Sequence, residues 1–252
     1  MEYIESADNR KVREWAGLKE KKLRQKDRSF LFESERGIGE AIGYGFKPKA
    51  LLIREDREIP SAIEKGLEGV PIFRLSTKAF GKVSGTEKSQ GVIGVFPFKE
   101  DRLSDLLKDG RLLFLDGLQD PGNLGTIVRS AAAFGAGGLI LGPGCVDLYN
   151  EKVLRSTLGG LFALPIVQGE HGDLSLFQKH GFTIFGSDLQ GTDLEEQAFP
   201  PRTIVGIGNE NQGLVEAFRS RCEGFVTIPL KSSMESLNAA IAAGIILYKF
   251  NR

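Results

Sequence analysis

Residues 226–244 constrain the fold most tightly. They open with a short apolar run, Val226-Thr227-Ile228, closed by Pro229, which cannot extend a central β-ladder. A polar loop, Lys231-Ser232-Ser233-Met234-Glu235-Ser236-Leu237-Asn238, leads into Ala239-Ala240-Ile241-Ala242-Ala243-Gly244, a helix of almost only small residues. Strand, loop and helix in that order place Ser236 and Asn238 where a helix begins. Unpaired N–H groups collect there and suit an anionic or polar ligand. Small side chains permit close backbone approach, in a tight core or at a subunit interface. Taken alone, the same pattern equally suits an ordinary strand–loop–helix unit of an α/β protein.

The alternation continues upstream. Residues 111–116, 138–141, 164–167, 182–185 and 203–207 are short apolar runs bounded by glycine and polar residues. Helices are expected over residues 126–134, ended by Gly135, and over residues 150–158. The pattern predicts a mostly parallel sheet in an α/β fold, with ligands at the carboxyl ends of the strands. A chain of 252 residues holds one large or two smaller domains. The first half carries its own alternation: strands at residues 29–33, 50–53, 70–75 and 91–96, and helices over 35–44, after Pro60 and after Ser76. This predicts a small α/β domain over residues 1–98, a charged linker over 99–110, and a second domain over 111–252.

Composition removes several classes of function. The 33 Lys and Arg balance the 33 Asp and Glu, so bulk charge does not advertise nucleic-acid binding. Locally, residues 8–28 hold Arg10, Lys11, Arg13, Lys19, Lys21, Lys22, Arg24, Lys26 and Arg28, which reads either as a solvated helix or as a phosphate-contacting surface. No apolar run is long enough to span a bilayer, and the N-terminus lacks a signal-peptide core, so no membrane partner is expected. Cys145 and Cys222 lie far apart, which fits a reducing cytoplasm. His171 and His180 sit in no ligand-spaced cluster, so no metal is expected.

Two strand ends carry unusual loops. In Asp120-Pro121-Gly122-Asn123-Leu124-Gly125 two glycines and a proline shape a tight turn from which Asn123 projects. Arg129 follows in an otherwise apolar helix, where it reads either as a solvated helix residue or, more in keeping with its apolar neighbours, as a group aimed at an anion or a partner. The other loop, Gly208-Asn209-Glu210-Asn211-Gln212-Gly213-Leu214, offers bare backbone to a flat ligand beside a carboxylate. Neither the Gly-x-Gly-x-x-Gly nor the Gly-x-x-x-x-Gly-Lys phosphate loop is present, so an ordinary dinucleotide-binding fold is not supported.

Three blocks in this order resemble the SpoU (TrmH-type) family of RNA ribose 2′-O-methyltransferases, in the SPOUT superfamily. They are Pro121-Gly122-Asn123-Leu124-Gly125 with Arg129, Gly208-Asn209-Glu210-Asn211-Gln212-Gly213-Leu214, and Ile228-Pro229-Leu230 through Glu235-Ser236-Leu237-Asn238. The resemblance covers roughly residues 111–249. Phe30-Leu31-Phe32-Glu33 and Gly85-Thr86-Glu87-Lys88-Ser89-Gln90-Gly91-Val92 resemble the family's N-terminal substrate-binding domain, of ribosomal-protein-like fold. Two positions depart from the pattern: Ser232 and Asn211 stand where the family usually has glycine.

The resemblance implies a C-terminal SPOUT domain with a deep trefoil knot, a homodimer, and S-adenosylmethionine as cofactor. It places Gly208, Asn209, Ile228, Leu230 and Leu237 around the cofactor. It gives Asn123, Glu210, Ser236 and Asn238 to the active site, with Arg129 facing ribose and phosphate as base or as clamp. The implied activity is methyl transfer to a ribose 2′-hydroxyl of structured RNA, with 23S-type rRNA preferred to tRNA. The alternatives are a tRNA 2′-O-methyltransferase, an RNA-binding homologue without methyl transfer, and a small-molecule methyltransferase on a Rossmann scaffold, which the missing glycine signature weakens.

Overall fold

A computed structural model of the chain describes residues 1–108, 110–231 and 236–250. The chain divides into two compact units, Met1–Glu100 with Asp147–Phe162, and Asp101–Val146 with Ala163–Arg252. Among the described residues no helix is long and apolar enough to cross a membrane.

The first unit is built on five strands, β1 (Glu2–Ile4), β2 (Ser29–Phe32), β3 (Ala50–Arg54), β4 (Ile72–Leu75) and β5 (Val92–Pro97). They lie in the order β1-β4-β3-β5-β2, with β1, β4 and β3 parallel and the β3–β5 and β5–β2 pairs antiparallel. The sequence reading lacks β1, which is only three residues long and buries a single side chain, Ile4. Helices α1 (Arg10–Gly17), α2 (Lys21–Asp27), α3 (Glu35–Gly43), α4 (Ser61–Glu64) and α5 (Thr77–Val83) complete the unit. The side chains of Asn9, Ser34 and Ser76 cap α1, α3 and α5 by accepting from backbone N–H groups two or three residues on. The basic stretch is therefore two helices rather than one. The second ends at Arg28, which adopts the left-handed conformation at φ 48°.

Arg24 in α2 is buried, and its guanidinium donates to Asp147 Oδ2 at 2.5 Å and to the carbonyls of Leu18 and Lys19 at 3.0 and 2.6 Å. Removing one partner of such a buried pair costs about 3–5 kcal/mol. Phe162 packs on Phe96 and Phe32 at 5.4 and 5.7 Å between ring centroids. Both anchors come from the segment 147–162. The sequence boundary at 111 assigns that segment to the second domain, whereas its packing places it in the first unit.

The second unit has six strands, β6 (Arg111–Leu115), β7 (Gly138–Leu141), β8 (Ile166–Gln168), β9 (Thr183–Asp193), β10 (Thr203–Ile207) and β11 (Gly224–Thr227). They form one wholly parallel sheet, β11-β9-β10-β6-β7-β8. β7 and β10 are buried at every position, which is why they read as unbroken apolar runs. The remaining helices are α6 (Pro121–Ala133), α7 (Glu151–Thr157, in the first unit), α8 (Leu174–Lys179), α9 (Glu216–Arg219) and α10 (Ala239–Phe250). From β6 the chain builds outward through β7 and β8. It then returns to the other side of β6 with β9, β10 and β11. The order thus reverses between β6 and β10, and ligands of open parallel sheets bind at the carboxyl ends of such a pair.

Candidate active site

The loops that leave β6 and β10 meet at that switch point. Asp116, the residue after β6, is 2% exposed. Its N–H donates to the Ile207 carbonyl at 2.8 Å, extending the β6–β10 ladder by one bond. Its carboxylate accepts from the Val215 N–H at 3.0 Å and bonds His171 Nε2 at 2.8 Å. One buried carboxylate thus ties the end of β6 to the residue that follows the β10 loop.

The β10 loop is closed on itself. Asn209 and Gly213 exchange two backbone hydrogen bonds, 3.1 and 2.9 Å, with Gly213 at φ +68°. The Asn209 side chain fills the loop: its oxygen accepts from the N–H groups of Asn211 and Gln212, and its amide donates to the Gly117 carbonyl at 2.8 Å. A Cβ on Gly208 would lie 2.2 Å from the Gly213 carbonyl carbon, so only glycine fits there.

α6 begins earlier than the sequence suggests. Asp120 is its N-cap, accepting from the Asn123 N–H at 2.7 Å, and Pro121 takes the first helical position. Residues 121–125, read from sequence as a tight turn, are therefore the first turn of the helix. Asn123 projects from that turn. Its Nδ2 donates to Glu210 Oε1 at 2.7 Å, and its Oδ1 accepts from Asn238 Nδ2 at 2.9 Å. Asn238 Oδ1 in turn accepts from the N–H groups of Ala240 and Ile241, capping α10. A carboxylate only accepts, so Glu210 dictates the orientation of both amides along the chain. Residues 123, 210 and 238, one from each of the three sequence blocks, form one continuous hydrogen-bonded row.

Beside this row lies a cavity of about 610 Å³. Gly208, Asn209, Glu210, Ile228, Leu230, Ser236 and Leu237 all line it. Ser232 and Glu235 lie outside the described residues. Arg129 is exposed on α6 and does not belong to the cavity's described lining. It stands six residues past Asn123, about 9 Å along the helix axis and about 120° around it. The cavity also shows what the sequence reading lacks: Asp188 from β9 and Arg219 from α9 form an ion pair in its wall. Burial works to raise the Asp188 carboxyl, but Arg219 and the N–H groups of Gln190 and Leu189 outweigh it and hold it below its ordinary range. Burial pushes Cys145 up and Cys222 up to about 12, so both stay thiols at neutral pH. Among the described residues no group of three or more His, Cys, Asp and Glu side chains is placed to hold a metal.

Residues 110–248 match the model of the SpoU rRNA Methylase family, more than half of the chain. The chain belongs to the SpoU family. Residues 9–94 match a second model, the MRM3-like substrate binding domain. Among relatives, the 23S rRNA (guanosine(2553)-2'-O)-methyltransferase RlmP of Bacillus subtilis is 35% identical over 250 residues, which cover 98% of both chains. The 23S rRNA (uridine(2479)-2'-O)-methyltransferase of Streptomyces viridochromogenes is 32% identical, over 96% of this chain and 89% of that one. Two similar solved structures carry AdoMet. One is AviRb from Streptomyces viridochromogenes, with TM-score 0.86 and 29% identity over 96% of this chain and 97% of that one. The other is an rRNA methyltransferase from Sinorhizobium meliloti, with TM-score 0.87 and 28% identity over 98% and 96%. The described residues of the three SpoU sequence blocks thus lie in the first turn of α6 and in the segments after β10 and β11.

Proposed function

We propose that the chain transfers the methyl group of S-adenosylmethionine to a ribose 2′-hydroxyl of 23S-type ribosomal RNA. The observation that carries this reading is the Glu210–Asn123–Asn238 row at the edge of the cavity. The cavity fits the cofactor by size and chemistry. Its volume falls in the range of small-molecule sites. Ile228, Leu230, Leu237 and Ala242 supply apolar walls for a flat base, and the closed 208–213 loop supplies bare backbone.

When bound, S-adenosylmethionine brings a methyl group already activated by its sulfonium. The protein's task is then position and charge. A ribose hydroxyl is a weak nucleophile that must be held in line and relieved of its proton. The Glu210–Asn123–Asn238 row is preorganised by its own hydrogen bonds and costs little to rearrange during reaction. Guanidinium does not give up its proton in proteins, so Arg129 is assigned as a clamp. Exposed on the helix that carries Asn123, it meets RNA arriving from solvent, holds a backbone phosphate and stabilises the developing 2′-oxyanion.

The first unit supplies RNA affinity. Of the basic residues at 10–28, Arg24 is spent inside the fold, and Arg10, Lys11 and Lys19 are paired within the unit. The exposed cations Lys21, Lys22 and Lys26 on α2, with Arg13, remain for phosphates. We assign the C-terminal loops to the family's knot, the protein to the cytoplasm, and its working form to a homodimer joined through α10.

The test is direct. Purified protein, S-adenosylmethionine and unmodified 23S rRNA should give one new 2′-O-methyl nucleotide, located by mass spectrometry of nuclease fragments. Methylation of tRNA alone would reassign the substrate, and no methylation of either RNA would remove the activity.

A further inference from the structure

Three charged side chains line the described cavity: Asp188, Glu210 and Arg219. Glu210 is committed to Asn123. The other two face each other. Arg219 Nη1 donates to Asp188 Oδ2, while Asp188 Oδ1 accepts from the Gln190 N–H at 3.0 Å. The Arg219 guanidinium also lies over the Phe225 ring, 4.5 Å from its centroid. A carboxylate and an aromatic face therefore hold this guanidinium in one orientation. It carries five N–H donors in a fixed fork, and the bond to Asp188 engages one of them. With a side chain 36% exposed, Arg219 opens to the cavity instead of sealing its wall.

S-adenosylmethionine has three recognisable parts: a flat base, a ribose, and an amino-acid tail bearing a carboxylate. The apolar walls suit the base. A cation binds the tail's carboxylate more strongly than a neutral donor does, and Arg219 is the one cation among the described lining residues. We propose that Arg219 binds the α-carboxylate of the cofactor's amino-acid tail, with Asp188 as the positioning residue that holds the guanidinium fork. This assignment rests on the reading of the cavity as the S-adenosylmethionine site, and it fixes which end of the cavity takes the tail. It also explains the ion pair: an arginine left free on a short helix would lose rotamer freedom on each binding event, whereas a pre-held fork loses little.

Isothermal calorimetry with three ligands tests it: S-adenosylhomocysteine, its decarboxylated 3-aminopropylthio counterpart, and 5′-methylthioadenosine, which lacks the tail. The wild type should bind the decarboxylated ligand roughly ten-fold or more weakly than S-adenosylhomocysteine, the scale of one hydrogen bond to a charged group. Arg219→Met keeps a side chain on Phe225 and should bind the first two ligands about equally, with methylthioadenosine affinity unchanged. Asp188→Asn should weaken S-adenosylhomocysteine alone, by a smaller factor. Equal loss for all three ligands in Arg219→Met would show a purely structural role and overturn the assignment. So would a wild type indifferent to decarboxylation, a result that needs no variant to fold. A wild type that binds methylthioadenosine but not S-adenosylhomocysteine overturns it as well. One that binds none of the three overturns the cofactor reading beneath it.

Discussion

Glu210 settles more than its own position. Because it accepts only, Asn123 must turn its amide nitrogen toward it, and Asn238 must then donate to Asn123 and cap α10 with its oxygen. The sequence names these three residues but not their order, since the pairs lie 87 and 115 residues apart. Arg129 is the reverse case. Its residue type stood out in an apolar helix, yet it lies outside the described cavity wall, so its proposed role is toward RNA. Exposure makes it a clean probe, because surface substitutions cost at most about 0.5 kcal/mol of stability. Arg129→Ala should reduce methyl transfer by roughly two orders of magnitude, the scale of one preorganised donor. Melting temperature and S-adenosylhomocysteine affinity should stay at the wild-type level. Arg129→Lys should rescue poorly, because an ammonium cannot reproduce a planar, bidentate phosphate contact. Near-wild-type turnover of Arg129→Ala at saturating RNA and cofactor would remove the clamp.

Among the elements, the segments of the site differ in how far local chemistry specifies them. The 208–214 loop is legible from sequence because glycine has a steric duty at each end: Gly208 faces backbone, and Gly213 takes a positive φ. The start of α6 is legible only when Asp120 and Pro121 are taken together as cap and first residue; the two glycines that follow suggest a turn, and the cap prevails. What holds the β10 loop in place is not legible at all. Asp116 and His171 are 55 residues apart, Asp116 and Val215 are 99 apart, and neither pairing leaves a periodic trace. The same holds for Asp188 and Arg219, which meet only because β9 and α9 flank one cavity. Gly208→Ala tests the element as a unit. The added carbon would sit 2.4 Å from the Leu214 nitrogen as well as against Gly213, and backbone cannot swing aside as a side chain would. The loop must open, so S-adenosylhomocysteine binding should fall at least ten-fold in calorimetry. The parallel sheet, whose ladder ends at Ile207 and Asp116, should keep its circular-dichroism signature. Unchanged affinity would show that the loop's closure does not serve the cavity.

For the whole molecule, chain connectivity and surface matter more than any motif. The family match runs unbroken from 110 to 248, yet residues 147–162 leave the parallel-sheet unit to give the first unit Asp147 and Phe162. A boundary read from composition cannot reveal that exchange, because the segment looks like any helix between two strands. The other large-scale feature is α10. Ala240, Ala243, Ile246, Leu247 and Phe250 are buried, while Ile241, Ile245 and Tyr248 remain 56, 37 and 47% exposed at helical spacing on another side. A helix that is apolar all round is normally buried all round. Tyr248 also meets the Phe134 ring at 6.0 Å, so the stripe continues onto the end of α6. A second copy of this chain matches such a stripe, since a two-fold axis sets it against itself. Ile241→Glu with Ile245→Glu places two carboxylates on each side of that contact, so like charges meet across it. Sedimentation should show a dimer for the wild type and a monomer for the double variant. Methyl transfer should fall with dimer content, since α10 carries the Asn238 cap at its start. A double variant that sediments as a dimer, or a wild type that is monomeric at micromolar concentration, would place the stripe's partner elsewhere.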